Sequence, residues 1–97
     1  MNIQNESHVS MVARIREGTL LLNSREEYER LLDLYPIKAS LHRALADFLA
    51  RQGDQPNAIK AYEKAYEIYL STGRSLQANV ATILAWSIAK PTHEQGR

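Results

Sequence analysis

Three histidines, eleven carboxylates and five tyrosines are the side chains of this chain best suited to chemistry. His8, His42 and His93 stand in three separate segments. None has the His-x-x-x-His or His-Glu-x-x-His spacing that puts two ligands for a metal on one helical face. Glu26, Glu27, Glu29 and Asp33 are interleaved with Arg25 and Arg30, the pattern of a solvated helix with an acidic first turn rather than of a converging acid–base pair. The four glycines are isolated and form no phosphate-cradling loop. With no cysteine, disulfides, thiolate nucleophiles and cysteine-based metal sites are excluded. Tyr28, Tyr35, Tyr62, Tyr66 and Tyr69 fall at helical spacing, and Lys60 and Lys64 alternate with Glu63 and Glu67, so packing is expected of these rings rather than base stacking. Twelve basic residues against eleven acidic ones leave a net charge of +1, which argues against a surface that neutralises nucleic-acid phosphates. No catalytic residue, metal or cofactor is expected. The residues point to binding by shape.

The elements that would shape such a surface are read from the helix breakers. Strand-like alternation is absent, and Ala, Leu, Glu, Arg and Gln dominate. Gly18, Pro36, Gly53, Gly73 and Pro91 are spaced 18, 17, 20 and 18 residues apart, each interval holding one helix of roughly 20–25 Å and a short turn. An all-α fold of about five helices in one antiparallel series follows. Ser24-Arg25-Glu26-Glu27 has the form of a capping box, Asp54 with Pro56 is a sound helix start, and Ser75 is placed to cap the helix after Gly73. Thr92-His93-Glu94-Gln95 has the same capping-box form close to the end of the sequence, as expected of a piece of a longer chain. At 97 residues the chain makes one domain. No apolar run approaches the roughly 18 residues of a membrane span. Met1 to Glu6 lacks the basic and apolar stretches of a signal peptide, so a cytoplasmic protein without membrane contact is expected.

Apolar stripes follow from the same spacing. Leu41, Ala44, Leu45, Phe48 and Leu49 form one, and Ala58, Ile59, Tyr62, Ala65, Tyr66 and Tyr69 another. The last helix, 75–90, presents Leu76, Val80, Ile83, Leu84 and Ile88, with alanines at 78, 81, 85 and 89 broadening the face until it is apolar almost all round.

Two helices with their turns take about 34 residues, the period of a tetratricopeptide repeat, and the stretch from Gln52 to Ala65 resembles that family's turn and second helix. Its alanine, aromatic and alanine positions match Ala58, Tyr62 and Ala65. In the first helix the Leu-small pair matches Leu45 and Ala46, and the later aromatic position holds Leu49. The family's early tryptophan position holds His42, where packing at the shoulder between helices is expected, and its closing proline position holds Leu70, so the second helix can run on to about Thr72. Residues 38–71 carry the best match. Residues 5–36 resemble a degenerate preceding repeat with Met11, Val12 and Ile15 as its first-helix face, and 75–90 is a further helix.

The resemblance implies an α-solenoid fragment whose first helices line a concave, peptide-binding surface. Ser40, Arg43, Asp47, Ala50 and Arg51 would face it. The family's carboxylate clamp uses lysine and asparagine at positions that match Arg43 and Asp47 here, so the clamp is broken. A mixed-charge segment or a neighbouring helix suits this row better than a terminal carboxylate. The implied function is a non-catalytic scaffold module that binds a protein or peptide partner within a regulatory or assembly protein. The segment Leu41 to Asp47 is also similar to helical-repeat segments that precede ligand-sensing domains. Two alternatives stand beside it. One is a self-assembling structural protein dimerising through Leu76, Val80, Ile83 and Trp86, and the other is a helical nucleic-acid module motivated only by the Arg and Lys count.

Overall fold

The computed structural model describes residues 7–89. The fold is all-α: α1 (His8–Arg16), α2 (Arg25–Leu34), α3 (Ala39–Arg51), α4 (Gln55–Ser71) and α5 (Ser75–Ala89), with no strand among the described residues.

Glycine ends three of these helices in one way. At the end of α3, Gly53 takes φ +85°, its N–H donates to the Ala50 carbonyl, and Asp54 N–H reaches back to Leu49 at 2.9 Å. This pair of backward bonds satisfies carbonyls that the helix end leaves without partners, and the positive φ it requires is strained for any residue with a Cβ. Gly73 closes α4 identically, with Arg74 N–H to Tyr69 at 2.8 Å, and α1 ends in the same motif at Gly18. The chain therefore reverses within three residues after α3 and again after α4. Both turns fold their helices back as close-packed hairpins, α3 on α4 and α4 on α5.

The helix starts are more varied. Ser24 forms the full capping box with Glu27: Ser24 Oγ accepts from Glu27 N–H, and Glu27 Oε1 accepts from Ser24 and Asn23 N–H. Ser7, which has no counterpart among the expected caps, does the same for α1 by accepting from Ser10 N–H. Asp54 precedes α4, but its side chain makes no cap bond. Its Oδ2 instead accepts from Asn57 Nδ2 and lies 3.7 Å from Arg25 Nη1, fastening α2 to the α3–α4 turn. Ser75 is the first residue of α5 rather than its cap. The Thr92–Gln95 motif and Lys90 lie outside the described residues.

One expectation about order along the chain is corrected. The link between α1 and α2 is eight residues, 17–24, not a tight turn. The two helices do not pack closely on each other as α3 and α4 do; each rests separately on α3. Val12 and Ile15 from α1 and Tyr28 and Leu31 from α2 enter one cluster with Leu41, Leu45, Phe48 and Leu49 of α3. Helix α3 is buried because three elements use it as their common wall.

The opposite side of α4 is packed differently. Ala65, Ala78 and Ala81 are fully covered and sit with Ala39 and Tyr69, while Ala46, Tyr62 and Ala85 form a third cluster. Small side chains on both helices allow the backbones to approach closely. In α5, apolar almost all round, the alanines turn inward, and Leu76, Ile83 and Trp86 turn out to solvent. The residues assigned to helix–helix packing, Leu45, Ala46, Leu49, Ala58, Tyr62 and Ala65, are all buried.

Candidate functional site

A cleft of about 630 Å³ opens where the end of α1, the first half of α3 and the α4–α5 turn converge. Val12, Ile15 and Ala44 supply apolar floor, and Tyr69 with Ile68 forms the opposite wall. Its charged rim holds Arg16, Lys38, Arg43 and Arg74 against Glu17 and Asp47, four cations to two carboxylates.

Of the five residues expected to face a concave surface, Ser40, Arg43 and Asp47 line this cleft. Ala50 and Arg51 do not. Ala50 is half-buried against the cluster that holds Tyr28 and Phe48. Arg51 is exposed on the last turn of α3, beyond the cleft. The expectation placed all five on one side of α3, but towards the end of the helix Ala50 packs against the cluster that includes Tyr28 of α2, and Arg51 stands in solvent outside the cleft. Sequence reasoning missed the cations from other elements, Arg16 and Arg74. Each lies near a glycine-closed helix end, and only the hairpin geometry brings them to α3.

Asp47 is not a free acceptor. The Tyr62 hydroxyl of α4 donates to Asp47 Oδ1, and Arg43 Nε lies 3.9 Å from Oδ2. Both oxygens thus already face a partner from the protein, and a ligand carboxylate meets the cations of the rim more than it meets Asp47. Burial first, and then the hydrogen bond to the Asp47 carboxylate, make the phenolate of Tyr62 unfavourable and hold its hydroxyl protonated well above the ordinary range. Burial shifts Tyr69 the same way, with Arg43 and Arg74 opposing. A tyrosine whose folded-state value is raised contributes stability that is complete below its unfolded value of about 10 and is lost as pH climbs beyond it. Denaturant midpoints are therefore expected to fall between roughly pH 9 and pH 11, and less steeply in Tyr62→Phe. Equal slopes in the two proteins would assign the loss to other groups.

His42 is half-buried on the first turn of α3. Its Nε2–H donates to the Pro36 carbonyl at 2.9 Å, pinning the α2–α3 turn. His8 is exposed at the start of α1, and His93 lies outside the described residues. Among the described residues no group of three His, Asp or Glu side chains is placed to hold a metal ion, and no helix is long and apolar enough to cross a membrane. Compared with family models, curated proteins and solved structures, the chain finds no match.

Proposed function

We propose that this chain is a non-catalytic interaction module whose cleft between α1, α3 and the α4–α5 turn takes an extended peptide segment bearing carboxylates. The observation that carries this is the cationic excess of the rim together with the engagement of Asp47 by Tyr62 and Arg43. The earlier preference for a mixed-charge segment rested on Asp47 being available to repel. With Asp47 held by Tyr62 and Arg43, and Arg16 4.0 Å from Glu17, the cationic excess of the rim falls to Lys38 and Arg74, and an apolar floor beside them can take an intervening side chain. The tight α3–α4 hairpin, with Leu45 and Ala46 buried alongside Ala58, Tyr62 and Ala65, supports a tetratricopeptide-type unit as the scaffold for this cleft.

An array of extended peptides graded by net charge tests the proposal. Acidic peptides are expected to bind best and to weaken as ionic strength rises. The Arg43→Glu, Arg74→Glu double variant is expected to lose at least about tenfold in affinity for them. Binding that ignores peptide charge, or survives in the double variant, would place recognition elsewhere.

A further inference from the structure

A second surface lies on the far side of the molecule, on α5. Leu76, Ile83 and Trp86 are 73%, 65% and 73% exposed, and Val80 is half-buried between them. They share one face because the opposite face of the helix, Ala78, Ala81 and Ala85, is committed to α4. We infer that this face is a two-fold interface on which α5 packs antiparallel to α5 of a second copy of the chain.

Two observations favour a second copy as the occupant. The first is charge. Ser75–Ala89 contains no charged residue, so two α5 helices laid together bring no like charges of their own into contact, and Glu63 of α4 stands at the edge beside Trp86. The second is register. In an isologous contact, residue i meets j and j meets i. Leu76 and Trp86 each lie five residues from Ala81, and Val80 and Ile83 straddle nearly the same level. A two-fold axis there sets each Trp86 on the partner's Leu76 and each Ile83 beside the partner's Val80, so every large side chain on the face meets another. The contact is small. At about 150–250 Å² for a covered tryptophan and about 60–120 Å² for an aliphatic side chain, the exposed parts of Leu76, Ile83 and Trp86 offer roughly 200–350 Å² per copy, well below the standard of about 800 Å² per partner, so the association is a weak one. Exposed Asn79 and Ser87 lie among these residues on the same side of the helix.

Trp86 is the sole tryptophan and reports on its own burial. At about 500 µM, a concentration suited to the weak association of so small an interface, sedimentation equilibrium is expected to give a weight-average mass rising toward twice the 11.0 kDa chain mass, with tryptophan emission moving to the blue as concentration rises. Trp86→Glu, on an exposed position and with unchanged helical circular dichroism, is expected to weaken the dimer at least about tenfold. The register has its own check in a chain without native cysteine. Leu76→Cys and Trp86→Cys chains mixed together should form the mixed disulfide. Leu76→Cys alone should not, since its two copies would sit about 15 Å apart along the helices, past the roughly 7 Å reach of a disulfide. A wild-type chain that stays at 11.0 kDa under these conditions overturns the proposal and leaves the face to a different protein. A dimer indifferent to Trp86→Glu places the contact on another surface, and a disulfide in Leu76→Cys alone refutes the antiparallel register.

Discussion

Replacing Tyr62 with alanine is expected to cost about 3–5 kcal/mol in denaturant melts, a third or more of the stability of an ordinary small domain. The ring is 3% exposed and sits where three helices meet: it belongs to α4, packs with Ala46 of α3 and Ala85 of α5, and has Ile59, Leu84 and Ile88 around it. None of those neighbours can fill the vacated volume without pulling a helix inward. The alanines on either side have no rotamers to adjust, so a cavity remains and its cost adds to the lost transfer energy. The hydroxyl is the lesser part. Tyr62→Phe keeps the ring and gives up the bond to Asp47, whose half-exposed carboxylate can turn back to water, so about 1 kcal/mol is expected. A loss near zero in Tyr62→Ala would show that the ring does not hold the two hairpins together.

Tyr28→Ala is expected to cost a similar 3–5 kcal/mol for a different structural reason. Tyr28 is 0% exposed and belongs to α2, which reaches the rest of the molecule chiefly through α3. Its ring packs on Phe48 at a centroid distance of 5.6 Å, tilted by 48°, and its hydroxyl accepts from Leu22 N–H at 3.2 Å. One side chain thereby anchors α2 and fixes the end of the segment joining α1 to α2. Truncation should lower the denaturant midpoint and also the slope of the transition, because α2 would detach before the α3–α4–α5 core unfolds. Tyr28→Phe is expected to lose only about 1 kcal/mol and to keep the slope. An unchanged slope in Tyr28→Ala would show that α2 and the core unfold as one unit.

Much of the scaffold was legible because local chemistry decides it. Gly18, Gly53 and Gly73 mark helix ends since a positive φ is needed there, and Ser24 with Glu27 marks a start since both partners of the reciprocal cap lie within one turn. The stripes on α3 and α4 were legible for the same reason: a 3.6-residue period states which side is apolar. What a period cannot state is which of two apolar sides turns inward. On α5, apolar almost all round, it leaves both sides open, and packing selects the alanines, because close approach to Ala65 of α4 excludes bulk. The cleft suffered likewise. Ser40, Arg43 and Asp47 are legible from spacing along α3, but Ala50 and Arg51 follow the same spacing and lie outside the cleft: Arg51 is in solvent, and Ala50 packs against a cluster that includes Tyr28 of α2, an element whose seat on α3 no local signal encodes. Arg16 and Arg74 are 58 residues apart in the sequence (74 less 16) and come to one rim only through tertiary structure.

Helix α1 reaches the body through α3, with eight residues separating it from α2, yet it contributes Val12, Ile15 and Arg16 to the cleft. One side of the cleft is thus carried by the helix with the fewest supports. With α1 detached, the cleft loses floor and one cation together. Under the proposed peptide-binding role, free energy gained from a bound segment would be shared with the docking of α1, and occupancy of the cleft would rise and fall with the order of His8–Arg16.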